Sequence, residues 1–187
     1  GARWLKNIVQ EAEEMKKLVE EMLALARSEA DIGKQIREKC SFSDVVIESV
    51  LSFEAVFYQG NRELISDVEE GIRIRGDEKE LRRLLGILLD NADKYSPEGG
   101  RARVCLRQIP GRKVRLTVAN TGAEIPKEKL EEIFERFYRS DSSRSDQKGY
   151  GLGLAIARSV VERHQGTIRA EASEGENRFI VGFKTVG

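Results

Sequence analysis

Three alternating glycines in Gly149-Tyr150-Gly151-Leu152-Gly153-Leu154-Ala155-Ile156-Ala157 run directly into an apolar-periodic helix, with a polar stretch, residues 140–148, immediately before them. Glycine brings backbone N–H groups close to an anion with no Cβ in the way. A helix N-terminus adds unpaired N–H donors and about half a positive charge. Together they make an anion seat suited to a nucleotide phosphate; the alternative is a loop that needs glycine only for tight turns. The same stretch limits the fold. No G-x-x-x-x-G-K-S/T pattern occurs, and the glycines follow a polar segment instead of closing a strand, so neither a P-loop nor a dinucleotide-binding βαβ unit fits. Kinase signatures of the H-R-D and D-F-G type are absent as well.

The chain has 187 residues, 40% of them hydrophobic, enough for one buried core and an appendage. Acids and bases balance at 32 each, which argues against nucleic acid as a partner, since such domains carry a basic excess. The longest apolar run, residues 84–89, is too short to cross a bilayer, and no signal-peptide pattern opens the sequence. Cys40 and Cys105 have neither metal-ligand nor C-x-x-C spacing, so both are expected to be free thiols of a reducing compartment.

Residues 3–37 carry a long helical pattern. Leu5, Ala12, Val19 and Ala26 recur every seven residues, Ile8, Met15 and Met22 do so half a heptad away, and Leu18 and Leu25 widen the stripe. This spacing fits a helix paired in a bundle or coiled coil, or one lying on its own domain. Beyond Cys40 the pattern predicts a helix over 44–58 capped by Ser43, strands over 63–68 and 72–75, and a helix over 78–94 opened by an Asp77 capping box. Hairpins are expected from strands 101–107 and 113–118 and from strands 167–172 and 179–184. Short helical segments are expected over 126–134 and 152–164. Strands gathered into hairpins with three helices imply an α+β two-layer α/β sandwich, the helices on one sheet face.

Three further groups carry chemistry. In the helix 78–94, Leu81, Leu84, Leu85 and Leu88 mark the buried face, and Asn91 falls beside it, where an unsatisfied amide is costly. A neutral oxygen at a helix edge suits Mg²⁺, which keeps most of its waters and shares phosphate oxygens; bonding to nearby backbone is the alternative. Lys94 lies one turn on, and Tyr95 offers a flat face for a base. At a strand end, Asn120-Thr121-Gly122-Ala123-Glu124-Ile125-Pro126 places a short amide beside a glycine, as adenine recognition or a plain turn would require. Finally, Ile133-Phe134-Glu135-Arg136-Phe137-Tyr138-Arg139, with Arg144 beyond, joins core-type aromatics to arginines.

An Asn helix, an Asn-x-Gly turn, a Phe/Arg segment and a Gly-x-Gly-x-Gly-Leu loop, in that order, resemble the N, G1, F and G2 boxes of the sensor histidine kinase catalytic domain. That family belongs with gyrase, Hsp90 and MutL in one ATPase group, from which the Phe-rich segment distinguishes it. The resemblance runs from about residue 42 to the C-terminus. It implies the Bergerat-type ATP-binding fold over 39–187, preceded by a long helix, 1–38, that looks like the second helix of the dimerisation and histidine phosphotransfer domain. By the same resemblance Asn91 ligates Mg²⁺, Lys94 contacts phosphate and Tyr95 lies near the base. Asn120 holds the adenine amino group, with Gly122 and Ile125 beside it. Gly149, Tyr150, Gly151, Leu152, Gly153 and Leu154 carry the phosphates, Arg139 and Arg144 steady them, Phe137 joins the nucleotide set, and residues 138–148 form a mobile lid.

Three positions depart from the family pattern: Asn120 stands for a usual aspartate, Glu124 for a glycine and Ile87 for a second asparagine. The phosphoacceptor is also missing, since the only histidine, His164, sits late in a helix without a Glu-Leu-Arg context. The resemblance therefore implies a Mg²⁺-ATP-binding protein histidine kinase domain that acts on a histidine elsewhere. The implied setting is the cytoplasmic part of a membrane-anchored bacterial sensor. Its implied partners are the missing phosphotransfer helix, a homodimer mate and a response regulator receiver domain. A degenerate ATP-sensing module and a protein-interaction module stand as alternatives.

Overall fold

The computed structural model describes residues 1–139 and 149–187. Its elements are α1 (Ala2–Ala30), β1 (Lys39–Ser41), α2 (Phe42–Gln59), β2 (Glu63–Val68), β3 (Arg73–Arg75), α3 (Glu78–Tyr95), β4 (Arg101–Ile109), β5 (Lys113–Thr121), α4 (Gly153–Arg163), β6 (Thr167–Ser173) and β7 (Glu176–Lys184). Five strands form one sheet in the order β2-β4-β5-β7-β6, and β1 pairs with β3 in a separate two-stranded ribbon. The mixed α+β architecture is the expected two-layer arrangement. It is not built from hairpins alone, because β2 runs parallel to β4 and the chain crosses between them through α3.

Strand alternation explains the layering. Ala102, Val104 and Leu106 of β4, Val114, Leu116 and Val118 of β5, and Phe179, Val181 and Phe183 of β7 are all buried. With a period of two, these residues share the face that α2, α3 and α4 cover. The outer face carries Arg103, Arg107, Arg115, Arg169 and Arg178, which explains why the strands read as alternating apolar and basic.

Four local expectations differ from the structure. α1 ends at Ala30 and not near 37, because Asp31 closes the last turn and Gly33 takes a φ of +87°. The cap of α2 is Ser41, whose Oγ accepts from the Asp44 N–H at 3.3 Å. Ser43 lies inside the helix and is buried; its hydroxyl accepts from the Ile72 N–H at 3.0 Å and donates to the Glu69 carbonyl at 2.7 Å. β1, which the sequence pattern does not reveal, is only three residues long and exists because β3 pairs with it. Residues 126–134 form two 3₁₀ turns, Lys127–Lys129 and Glu132–Phe134, because Ile133 and Phe134 turn inward and the Phe134 ring meets Phe179 edge-on at 6.2 Å.

The apolar stripe of α1 divides along its length. Leu25 and Ser28 are buried and Leu18 packs on the core, whereas Leu5, Ile8, Met15, Val19 and Met22 are exposed. Carboxylate pairing fixes the docked end, since Glu29 grips the Arg136 guanidinium with both oxygens. Cys40 and Cys105 are free, and burial pushes the Cys40 thiol up. Among the described residues no helix is long and apolar enough to cross a membrane.

His164 ties α4 to α3. It is 8% exposed; its Nε2 accepts from the Asp77 N–H at 3.0 Å and its Nδ1 lies 2.7 Å from the Val160 carbonyl. This pattern requires the neutral ring with the proton on Nδ1. Burial lowers its pKa from the ordinary 6.5, against the Val160 bond, which raises it. A depressed pKa leaves the full stabilisation in place above 6.5 and removes it as pH falls below that value toward the lowered one. Urea midpoints are therefore expected to drop between about pH 7 and about pH 5, the range in which histidine charges, and His164→Gln is expected to flatten that limb.

Candidate functional site

The wall of the site begins with α3. Leu81, Leu84, Leu85, Leu88 and Leu89 are completely buried, so the helix has one rotational setting. That setting turns Ile87, Asp90, Asn91, Lys94 and Tyr95 toward a cavity of about 330 Å³. Asp77 caps the start of α3, accepting from the Glu80 N–H at 3.2 Å. Arg62 fixes its end by donating to the Ser96 carbonyl at 2.7 Å and pairing with Asp93 at 3.2 Å. Within the cavity wall, Lys94 pairs with Asp90 at 2.8 Å along the helix.

The other segments converge by close backbone approach. At Gly122 a Cβ would stand 2.5 Å from the Tyr95 carbonyl oxygen, so glycine there lets the end of β5 abut the end of α3. At Gly151, with φ +73°, a Cβ would stand 2.8 Å from the Phe137 carbonyl carbon and 2.9 Å from the Tyr138 nitrogen. The glycine loop is thus laid directly on the Phe/Arg segment. At Gly153 a Cβ would be in ordinary contact, 3.5 Å, with the Ile87 side chain, so α3 lies close against the start of α4.

α4 supplies the electrostatics. Its N-cap position is Leu152, which offers no side-chain hydrogen bond, whereas α2 and α3 are capped by Ser41 and Asp77. Among the described residues, the Leu152 side chain leaves the first N–H groups of α4 without a capping hydrogen bond, as an anion seat requires.

Asn120 and Asn177 occupy opposite positions in the β5–β7 ladder and are both buried. The Asn120 amide donates to the Thr121 carbonyl at 3.1 Å. Asn177 accepts from the Ile125 N–H at 2.9 Å and donates to the Ala123 carbonyl at 2.8 Å, clamping the loop after β5. Glu124 has a negative φ and accepts from the Gly175 N–H at 2.7 Å, so no glycine is needed there and the turn geometry is intact.

Of the residues singled out by sequence, Asn91, Lys94, Tyr95, Asn120, Ile125, Arg139, Gly149, Tyr150, Gly151, Leu152, Gly153 and Leu154 line this one cavity. Gly122 shapes it from behind. Phe137 does not line it; its side chain is 57% exposed and its backbone, at φ +61°, only supports Gly151. Arg144 and most of the segment read as a lid, residues 140–148, lie outside the described residues. Asn177, Lys17 and Glu21 also line the cavity and were not anticipated, because their places depend on strand register and on how α1 docks. The described residues hold no group of three or more His, Cys, Asp or Glu side chains placed to hold a metal ion by themselves.

The family model described as "Histidine kinase-, DNA gyrase B-, and HSP90-like ATPase" matches residues 76–186, from the cap of α3 through β7. The chain belongs to this ATPase family. Among curated relatives it is 35% identical to "Sensor protein DltS" of Streptococcus agalactiae over 97% of this chain and 46% of the relative. It is 39% identical to "Signal transduction histidine-protein kinase/phosphatase MprB" of Mycobacterium leprae over 88% of this chain and 31% of that protein. The chain thus spans less than half the length of these relatives. The catalytic domain of histidine kinase ThkA superposes with a TM-score of 0.69 at 28% identity, covering 79% of this chain and 94% of that one. A mycobacterial MprB structure gives 0.67 at 29%, covering 79% and 97%. The ATPase unit is therefore of the histidine kinase type, an ATP-binding catalytic domain.

Two substitutions test the geometry. Gly151→Ala is expected to destabilise the fold by about 1–3 kcal/mol, the cost of a strained backbone position. Asn177→Ala, which strands the Ile125 N–H and the Ala123 carbonyl, is expected to cost about 1–3 kcal/mol. Urea titration of each purified variant reads both values.

Proposed function

We propose that the chain binds Mg²⁺-ATP in this cavity and transfers the γ-phosphoryl to a histidine outside its 187 residues. The observation that carries the reading is the uncapped N-terminus of α4 opening onto the same cavity as Asn91 and the Asn120–Asn177 pair. Asn91 would ligate the metal, which neutralises phosphate charge when bound. Lys94, Arg139 and Arg144 would balance the rest, and the N–H groups at Gly149, Gly151 and Gly153 would cradle the phosphates. The Asn120 oxygen would accept from the adenine amino group, with Tyr95, Gly122 and Ile125 around the base. Asparagine keeps the acceptor that an aspartate would offer and gives up only its charge. What this chain contributes to the reaction is positioning and charge neutralisation.

The acceptor is not His164, whose two ring nitrogens are occupied and whose ring is buried. Residues 1–38 act as the second helix of a dimerisation and phosphotransfer domain, and 39–187 as the catalytic domain. The exposed Leu5, Ile8, Met15, Val19 and Met22 suit the missing helix and a homodimer mate. A response regulator receiver domain would take the phosphoryl group onward; ThkA has been solved "in complex with response regulator protein TrrA", with a shared fold at 24% identity and TM-score 0.74. The parent protein would place this domain on the cytoplasmic side of a bacterial membrane.

Calorimetry is expected to show Mg²⁺-ATP binding, with Asn91→Ala removing the magnesium dependence while adenosine still binds. Labelled ATP alone is expected to leave the chain unlabelled. Adding the histidine-bearing helix in trans is expected to yield acid-labile phosphate on that helix; ATP binding without such transfer favours a nucleotide-sensing module.

A further inference from the structure

The cavity has a wall that the ATPase domain does not supply. α1 lies across it, and Lys17 and Glu21, one helical turn apart, line the space shared by Asn91 and the glycine loop. Their placement is anchored from Leu18 onward along the helix. Leu18 packs on the core next to Lys17, and Leu25 and Ser28 are buried beyond Glu21. The Glu29–Arg136 pair then fastens α1 to the Phe/Arg segment that supports Gly151.

Charge accounting singles out these two side chains. Among the described residues that line the cavity, Asp90 is committed to Lys94 and Glu124 accepts from the Gly175 N–H. Lys17 and Glu21 have no hydrogen bond or ion pair with any described residue. A lysine ammonium on a four-carbon stem reaches several ångströms from its helix and binds phosphate as a point charge. A carboxylate on the same face repels the same phosphate.

We infer that α1 takes part in nucleotide recognition, with Lys17 contacting the polyphosphate and Glu21 opposing it. The inference rests on the reading of the cavity as an ATP site. The two side chains act on the bound phosphates in opposite senses. In the docked position Lys17 adds attraction that a bare catalytic domain lacks, and Glu21 limits it. Adenosine, which has no phosphate, is indifferent to both. A shift of α1 that withdraws both charges together leaves little net change, so each side chain is read separately.

Titration calorimetry of the full chain with Mg²⁺-ATP and with adenosine tests this. Lys17→Ala is expected to weaken Mg²⁺-ATP about two- to fivefold, the range of a single exposed ion pair, and Glu21→Gln to tighten it by a comparable factor. Adenosine binding is expected to stay unchanged in both, and the Lys17→Ala deficit to shrink as salt is raised, since an exposed contact is screened. Both side chains are at or near the surface, so melting temperatures are expected to match the wild type. Equal Mg²⁺-ATP affinity in Lys17→Ala and wild type overturns the inference, as does an equal loss for adenosine. Failure of the wild type to bind Mg²⁺-ATP overturns instead the reading on which it rests.

Discussion

The leucine ridge of α3 is the packing on which the site depends. Leu81, Leu84, Leu85, Leu88 and Leu89 lose all contact with solvent between the sheet and the neighbouring helices, each contributing about 1.5–3 kcal/mol. Such a ridge allows one rotation of the helix and no other. Once that rotation is set, Asn91, Lys94 and Tyr95 can point only along the cavity, and β5 must end against the last turn of α3 where Gly122 makes room. Recognition chemistry here follows from core packing.

The positions that depart from the family pattern make sense within that frame. Ile87 is not a lost ligand left facing water; its side chain lies close to Gly153 at the start of α4. Glu124 does not strain its turn, because the backbone there has negative φ and its carboxylate holds the β6–β7 turn through Gly175. Asn120 sits opposite Asn177 in the ladder, and an amide at this buried position avoids a buried charge that would need neutralising.

Much of this was readable from local pattern. The 3.6-residue spacing of leucines marks α3, the Asp77 capping box marks its start, and alternation marks the long strands of the sheet. The four motif segments were legible only together, because each alone also reads as a turn, a backbone-bonded amide or core aromatics, while their order and spacing fit one pattern. What escaped was non-local. β1 is three residues stabilised only by a partner distant in sequence, and Ser41 outcompetes Ser43 as a cap because the ribbon decides where α2 starts. Asn177 looks like a turn residue until the register places it opposite Asn120. Lys17 and Glu21 look like solvated heptad positions until Leu25 and Glu29 tether their helix.

The bond from the Asp77 N–H to His164 has a mechanical corollary. α3 and α4 run in opposite directions, and this bond, with Arg163 gripping Glu80, pins them together at the end farthest from the glycine loop. Their opposite ends bear Asn91 and Gly153 and face the cavity. Proton uptake by the imidazole removes the acceptor of this bond, so the fastening between the two helices is itself sensitive to acid.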